Sequence, residues 1–166
     1  EKKVNKMIKN LSAQEKQMKK KLKEKKKEVE KLNKEIEKIL AEAVKQAEKE
    51  KKGQKGTASE KINYQLSGKF AENKGKLPWP VNNGVIIQKF GQSYHPVFKN
   101  IQMPFNNGIN ISSAKGSEAT SIFDGTVKQI LIMPGYNQCV LVQHGEFFTF
   151  YCKLERVYVK NGDKIS

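Results

Sequence analysis

The sequence predicts an α + β fold in which a long coiled-coil helix and a short linking helix precede a small antiparallel β-domain. Residues 4–43 repeat apolar side chains at alternating spacings of four and three, without Gly or Pro, which is the pattern of a coiled-coil helix. Residues 49–56 lose this repeat and carry two glycines, as a linker does. From Val81 onward, short β-type runs alternate with Gly, Asn and Pro, as in an antiparallel sheet.

The long helix is predicted over residues 1–48 by one sustained heptad repeat. Ten of the twelve a and d positions are apolar. These positions are Val4, Ile8, Leu11, Glu15, Met18, Leu22, Lys25, Val29, Leu32, Ile36, Ile39 and Ala43. The a and d side chains form one apolar stripe along the helix, called here the seam. This stripe stays in contact with water unless a partner helix covers it. We therefore expect pairing with another chain or with a helix upstream of Glu1, and a solvated, inert spacer is the alternative.

Residues 49–75 are predicted to hold a linker and a short helix. Thr57 and Glu60 have the spacing of a capping box, which places the start of the helix at this point. The helix is expected to run to about Asn73, and Gly75 is a natural residue for its end.

Residues 76–166 are predicted to form the β-domain. Gly125, directly after Asp124, suits a turn with positive φ, and Asp124 is interpreted as a turn residue. The predicted strands are Val85–Phe90, Ile109–Ser112, Thr126–Met133, Cys139–His144, Phe147–Lys153 and Arg156–Val159.

The dipeptide Gly145-Glu146 is predicted to be the two-residue loop of a hairpin. This loop fixes which side chains share a face, because side chains alternate along a strand. One face then carries Val140, Val142, Thr149 and Tyr151, and the other carries Cys139, Leu141, Phe148, Phe150 and Cys152.

The net charge of +15 is concentrated in residues 1–56, which hold 20 Lys and 10 Glu. Such a charge occurs in proteins that bind nucleic acids. Arg156 is the only arginine, however, and bidentate recognition of phosphate or guanine usually needs several. Because the lysines alternate with Glu as on a solvated helix face, we expect no nucleic-acid partner and only weak attraction to anionic surfaces.

The sequence contains no run of the ~18 apolar residues that a membrane span requires, and no signal peptide is visible. The chain begins without Met and stops inside an expected strand. We therefore expect it to be part of a longer protein.

Eight short motifs follow one another along residues 76–165. They are KLPWPV (76–81), KFG (89–91), HPVFK (95–99), NNGINI (106–111), FDGTV (123–127), VQHG (142–145), TFYCKL (149–154) and VKNGDKI (159–165). In these motifs and their order the chain resembles the lysostaphin-type (LytM) zinc peptidases. Each motif alone is weak, and eight in order are a strong signal. With a coil upstream and the segment FAENKGKLPWP (70–80), the chain resembles the EnvC-type activators of murein hydrolases. The resemblance implies a lysostaphin-type β-domain over residues 76–166.

The zinc-ligand positions implied by this resemblance hold other residues. Asn106 and Asn110 stand where the family has the zinc ligands His and Asp. Lys153 stands where the family has the His of a Tyr-x-His segment, a neutral imidazole that helps in catalysis. Zinc sites in proteins use His, Cys and carboxylate ligands, whereas a lysine cation opposes metal binding. The family's third ligand would lie beyond Ser166. We therefore expect no metal, no cofactor and no catalytic residue.

The two histidines have no partner at ligand spacing. His95 precedes Pro96 in an expected loop, and His144 precedes the hairpin turn. We expect a structural or surface role for each of them.

The resemblance implies a non-enzymatic activator that binds a cell-wall amidase, an N-acetylmuramoyl-L-alanine amidase, during cell division and separation. It also implies a coil docked on an FtsEX-type membrane complex, contact with peptidoglycan, and a location in the periplasm or cell envelope. The family's substrate groove becomes a partner-binding groove in which we place Asn106, Asn110, Tyr151 and Lys153, with the opposite face of the hairpin as core. A structural wall-binding or scaffold protein and a cryptic zinc endopeptidase are the alternatives.

Cys139 and Cys152 lie opposite each other in the expected hairpin register. Opposed Cβ atoms are ~4.5–5.5 Å apart, whereas a disulfide prefers ~3.8 Å, so a bridge would be strained. Two free, buried thiols are the other interpretation, and the sequence leaves both open.

Overall fold

The computed structural model of the chain describes residues 2–52 and 64–166 and confirms the predicted α + β class. Its elements are helices α1 (Lys2–Lys52) and α2 (Tyr64–Glu72) and strands β1 (Val85–Gln88), β2 (Asn110–Ser112), β3 (Gly125–Met133), β4 (Asn137–His144), β5 (Phe147–Leu154) and β6 (Lys164–Ile165). The described residues divide into two compact units. The first unit contains α1 as far as Lys38 together with Ile86–Ser112, and the second contains the described residues of Ile39–Val85 and Ser113–Ser166. Neither described helix has both the length and the apolar character needed to cross a bilayer.

The burial pattern of α1 follows the heptad repeat. From Glu15 to Ala43 the a and d side chains are partly buried, with Lys25 as the exposed exception, and most other side chains are exposed. The helix continues to Lys52 instead of ending with the predicted segment 1–48. Its last residues are Lys and Glu, which are good helix formers, so nothing in the local sequence ends the helix earlier.

At Glu15, the α1 seam is contacted by a loop of the same chain, within the first unit. Asn100 donates a hydrogen bond from Nδ2 to Oε1 of Glu15 at 3.1 Å, and Lys19 pairs with the same carboxylate at 2.8 Å. Lys19 and Asn100 together hold the pKa of Glu15 below its ordinary value. The expectation that only another chain or an upstream helix covers the seam is therefore wrong for this turn. One surface pocket is lined by Phe98 with Gln14, Gln17, Met18 and Lys21.

Helix α2 packs on the tip of the hairpin formed by β4 and β5, within the second unit. The ring of Phe70 stacks on His144 and on Phe147, with centroid distances of 4.9 and 5.2 Å. Ser67 Oγ accepts a hydrogen bond from the backbone amide of Glu146 at 2.7 Å. The ring of Phe70 and the hydroxyl of Ser67 thus hold α2 against the hairpin turn.

The C-terminal end of α2 agrees with the prediction. The helix ends at Glu72, and Gly75 adopts a left-handed φ of 78°, which favours glycine. The predicted start of the helix, with the Thr57–Glu60 capping box, falls outside the described residues.

The main sheet has four strands in the order β5-β4-β3-β6, and all its neighbours are antiparallel. β1 and β2 form a separate two-stranded sheet. The centre of the core is a valine cluster of Val127, Val140 and Val142. Partly buried side chains packed against this cluster are Ile130, Tyr151, Leu154, Val157, Val159 and Ile165.

Strand β4 is buried on both faces. Leu141 is 0 % exposed on one face, and Val142 is 1 % exposed on the other. The prediction that the Tyr151 face of the hairpin stays open and only the opposite face forms core is therefore wrong. Residues Val157 and Val159, which follow the hairpin, cover the Tyr151 face.

The predicted strand Arg156–Val159 is absent, and this segment has no regular secondary structure. Its two valines pack on the core while Tyr158 is 84 % exposed, so the side chains do alternate. The free edge of β3 pairs instead with β6, the later segment Lys164–Ile165. Alternation indicates the direction of side chains, and it does not establish that the backbone joins a sheet.

The predicted hairpin register is confirmed next to the turn. Gly145-Glu146 is the two-residue loop, and the predicted pairing holds as far as Val140 opposite Tyr151. Between Val140 and Gln138 the register shifts, because β5 contains one extra residue at this point.

The extra residue forms a β-bulge in which Cys152 and Lys153 together face Cys139. Both cysteines are free thiols, and Cys139 Sγ donates to the backbone carbonyl of Tyr136 at 3.7 Å. Burial and the neighbouring Cys139 thiol raise the pKa of Cys152 far above its ordinary value. The reactive thiolate form of Cys152 is therefore scarce at neutral pH.

His144 is fully buried and has a structural role. Its Nδ1 lies 2.7 Å from the backbone carbonyl oxygen of Asp124, and its Nε2 lies 2.8 Å from Oγ1 of Thr149. Because a carbonyl only accepts, Nδ1 carries the proton and Nε2 accepts from the Thr149 hydroxyl. Burial lowers the pKa of His144, and the Asp124 contact acts in the opposite sense.

His95 is also structural, since its Nδ1 accepts hydrogen bonds from two downstream backbone amides.

Close packing, and not a positive φ, explains the glycine at position 125. The left-handed glycines of the described chain do not include Gly125, so the predicted turn conformation is wrong. A Cβ atom at this position would lie 2.7 Å from the Gln143 carbonyl oxygen, from His144 Nδ1 and from Val142 Cγ1. The start of β3 therefore approaches β4 more closely than any side chain permits.

We expect the substitution Gly125→Ala to lower the free energy of unfolding by about 1–3 kcal/mol, because the added methyl group must displace backbone. Thermal and urea unfolding of both proteins measure the change. Gly68→Ala is the matched control, since Gly68 has no atom within 4 Å of its Cβ position and lies inside α2. The control should unfold at an equal or higher temperature. Equal melting temperatures for Gly125→Ala and the parent would contradict the packing argument.

We expect the second unit to lose stability as the pH falls below about 6.5. An unfolded histidine has a pKa of about 6.5, and burial makes the pKa of His144 lower in the folded state. The unfolded state therefore binds the proton first, and the free energy of unfolding decreases from about pH 6.5 down to the folded pKa. Urea unfolding between about pH 8 and pH 5 measures this slope.

In this experiment His144→Gln should be less stable at about pH 8 and should show a shallower decline with acidification. His95→Gln removes the chain's other imidazole and should keep the steep decline. An unchanged slope in His144→Gln would assign the acid sensitivity to other groups.

Candidate functional site

The four residues predicted to line a binding groove fall into different units. Asn106 and Asn110 belong to the first unit, and Tyr151 and Lys153 belong to the second. Each pair is therefore described within its own unit.

The position of Asn106 is set by backbone pairing with Gly91. The two residues exchange hydrogen bonds, with N–O distances of 2.9 and 3.1 Å, and so close the loop 92–105. Gly91 adopts a φ of 104°, which glycine tolerates better than other residues. Beside this bridge, Phe90 and Phe105 meet edge to face with ring centroids 5.5 Å apart.

The side-chain amide of Asn106 holds the same loop together. Its Nδ2 donates to the carbonyl oxygen of Lys89 at 3.0 Å and to that of Gly108 at 2.7 Å. A primary amide has two N–H donors on one nitrogen, and both are used here. A carboxylate offers no donor and an imidazole nitrogen offers one, so asparagine suits these two acceptors better than a metal-ligating residue does.

Asn110 is also engaged as a donor. Its Nδ2 donates to Oε1 of Gln88 at 2.7 Å, which joins the start of β2 to the end of β1. Both asparagine side chains thus contribute to local structure through hydrogen bonds that their amide nitrogens donate.

The described residues, 2–52 and 64–166, contain no group of three or more His, Cys, Asp or Glu side chains that could hold a metal ion. Asn106 and Asn110 are the residues at which the resemblance implies such ligands. Their neutral amide oxygens are weak donors to zinc compared with imidazole, thiolate or carboxylate.

The ring of Tyr151 is part of the core of the second unit, and its hydroxyl makes a hydrogen bond with the backbone. The ring packs against the valine cluster, and Oη accepts a hydrogen bond from the amide of Ile122 at 3.0 Å. The hydroxyl therefore ties β5 to the segment that leads into β3.

Lys153 is exposed and is held in an unusual backbone conformation. Its φ is 65°, and its amide donates to the carbonyl of Tyr136 at 2.7 Å. Its Nζ lies 5.7 Å from the centroid of the Tyr136 ring. Burial, with smaller effects of Cys152 and Cys139, raises the pKa of Tyr136. The neutral ring can therefore attract the ammonium group and hold it at the surface.

The bulge also changes the predicted direction of Lys153. Strict alternation places Lys153 on the face of Tyr151, but the register shift lies between the Tyr151 pair and Lys153. Alternation therefore does not extend to this residue. The position of Lys153 depends instead on the bulge and on its contacts with Tyr136, and the hairpin prediction contains neither of these.

Two residues of the site are missed by sequence reasoning. Gln88 is the acceptor for Asn110, and Tyr136 orders Lys153 through its carbonyl and its ring. Gln88 is the one polar residue of β1, which indicates only weakly that its side chain has a hydrogen-bond partner. Tyr136 follows Pro134-Gly135 in a turn, and nothing in its sequence indicates a contact with Lys153.

Comparison with known proteins places part of the chain in a family. Residues 104–166 match the model of Peptidase family M23. This range contains Asn106, Asn110, Tyr151 and Lys153, and it is shorter than the predicted domain 76–166. No curated protein and no solved structure matches the chain. Residues 104–166 therefore form an M23 (LytM-type) peptidase-family domain.

Proposed function

We propose that this chain is a non-enzymatic activator of a cell-wall amidase, acting in peptidoglycan hydrolysis during cell division and separation. The M23 domain supports a function at peptidoglycan, because that family is one of peptidases. The two hydrogen bonds that Asn106 donates to main-chain carbonyls carry the non-enzymatic part of the proposal. A residue that holds its own loop in this way is a structural element at a position where the resembled peptidases place a ligand.

The proposal includes no hydrolytic chemistry because of the side chains that stand at the ligand and catalytic positions. A zinc peptidase needs the metal to lower the pKa of a bound water and to polarise the peptide carbonyl. Asn106 and Asn110 supply neutral amides, and Lys153 supplies a cation, which disfavours a second cation nearby. No step of hydrolysis can be assigned to these three side chains.

In the proposal, Lys153 is the contact for the partner. It is an exposed cation whose backbone is held by the bulge and whose side chain lies near the Tyr136 ring, so little side-chain freedom is lost on binding. Such a group fits an acidic side chain of the amidase. An activator of this kind shifts the partner toward its open state only by its higher affinity for that state.

The proposed partners extend beyond the amidase. We infer that α1 serves as the coil that docks on an FtsEX-type membrane complex, outside the cytoplasm, and that the M23 domain works next to peptidoglycan. The length of α1 supports this, since 51 helical residues reach roughly 75 Å and can separate two binding events. EnvC-type activators, which the chain resembles, combine the same two parts.

The proposal predicts that the purified chain contains no stoichiometric zinc and does not cleave peptide cross-bridges. Metal analysis by mass spectrometry and a cross-bridge cleavage assay test this. Asn106→Ala and its neighbour Asn107→Ala are the matched pair. One tightly held zinc per chain that is lost in Asn106→Ala and kept in Asn107→Ala would establish the cryptic endopeptidase instead.

The proposal also predicts that Lys153→Glu weakens amidase activation about tenfold or more while the fold is retained. Reversing a charge that contacts an acidic partner costs about 1.5 kcal/mol or more in coupling, whereas an exposed substitution changes stability by about 0.5 kcal/mol or less. Release of dye from labelled peptidoglycan by an amidase, with and without the chain, measures activation.

Lys115→Glu is the control for this assay, because Lys115 is an exposed lysine of the same domain. It should activate as the parent does. Equal activation by Lys153→Glu and the parent would remove Lys153 from the contact. A parent chain that sediments with peptidoglycan and never stimulates an amidase would favour the wall-binding or scaffold function.

A further inference from the structure

The net positive charge of α1 is confined to the first half of the helix. Residues 2–27 hold twelve Lys and two Glu, a net charge of +10, whereas residues 28–52 hold seven of each and are neutral. Both halves belong to one continuous helix. The neutral half is the usual solvated surface of a helix, with opposite charges close together. The first half needs a different explanation.

The densest part of this charge is residues 16–27, called here the lysine segment. It contains eight Lys and one Glu, a net charge of +7 over about 18 Å of helix. Its lysine side chains are exposed. Among the described residues, the one ion pair that involves this segment joins Lys19 to Glu15. Like charges at this density repel one another and weaken the isolated helix, so an external anion would stabilise it.

An exposed apolar stripe directly precedes the lysine segment. Val4, Met7, Ile8 and Leu11 are 58, 65, 60 and 62 % exposed. Their spacing follows the i, i+3, i+4, i+7 pattern, which places all four on one face of the helix. The later seam residues are partly buried, so large exposed side chains are concentrated in this part of the seam. These four residues are called here the N-terminal stripe.

A second copy of the chain, paired in parallel and in register, fits this surface poorly. Parallel, in-register pairing through the seam would bring two lysine segments of +7 each side by side, and would place Lys25 against its own copy. Like charges at such positions oppose pairing. The occupant that fits must accept apolar side chains and carry dense negative charge at the same time.

An anionic lipid surface has both properties. Helices with a basic polar face and an apolar face lie in the plane of a membrane, with the apolar side chains at the boundary between head groups and acyl chains. Clusters of four to eight basic residues next to such a helix bind anionic lipids with a contribution of about 1 kcal/mol for each. We propose that residues 4–27 of α1 bind the surface of an anionic lipid bilayer. The N-terminal stripe enters the interface, and the lysine segment contacts the lipid phosphates.

Vesicle sedimentation of the full chain tests this. The probes are vesicles of phosphatidylcholine alone and vesicles with about one third phosphatidylglycerol, at about 0.1 M salt, where exposed charges are partly screened. We expect binding to the anionic vesicles, about tenfold or more weaker binding to the neutral ones, and a steep loss of binding as salt is raised. Equal binding to both kinds of vesicle, or to neither, would overturn the proposal.

Two sets of substitutions locate the surface. Replacing Lys20, Lys23, Lys26 and Lys27 by Gln should weaken binding about tenfold or more, since Gln keeps the helix propensity and removes the charge. The matched control replaces four exposed lysines of the neutral half by Gln and should weaken it much less. These control residues are Lys31, Lys34, Lys38 and Lys45. Equal losses in the two sets would assign binding to net charge alone and overturn the assigned site.

The N-terminal stripe has its own pair of variants. Met7→Gln with Ile8→Gln should also weaken vesicle binding, whereas Ile132→Gln, at an 81 % exposed isoleucine of β3, should not. Circular dichroism checks that each variant keeps its helix. If the parent sediments as a dimer that these two substitutions dissociate, and binds no vesicles, the occupant is a second copy and the lipid proposal is wrong. None of these measurements depends on the amidase.

Discussion

The buried imidazole of His144 connects its own strand, β4, to three other parts of the second unit. One ring nitrogen donates to the carbonyl of Asp124 before β3, the other accepts from Thr149 in β5, and the ring stacks on Phe70 of α2. Both nitrogens are therefore satisfied without water, which a fully buried polar ring requires. The same residue leaves no room for a side chain at Gly125. The positions of α2, the start of β3 and the hairpin thus depend on one neutral ring.

The loops of the candidate site are held by their own side chains. In the first unit, the amide of Asn106 donates two hydrogen bonds to main-chain carbonyls, and the amide of Asn110 joins β2 to β1. In the second unit, a β-bulge and the ring of Tyr136 hold Lys153 at the surface. Local hydrogen bonding and packing therefore give both regions a defined shape.

Sequence reasoning predicts what depends on short-range patterns. The heptad of α1, the Gly145-Glu146 turn and most strands follow from spacing and turn chemistry, and motif order identifies the domain whose residues 104–166 match the M23 family. The extra residue of β5 could not be predicted, because a bulge depends on cross-strand packing. The same holds for the covered Tyr151 face and for the pairing of β3 with β6, which are decided by residues far along the chain.

The two carbonyls that Asn106 satisfies restrict which side chains position 106 can accept. A histidine there would leave at least one of the carbonyls of Lys89 and Gly108 without its donor, since a ring nitrogen carries a single proton. A single substitution at position 106 would thus disturb the closure of the loop 92–105. Any residue that replaces Asn106 without this disturbance must bring two donors to the same two carbonyls.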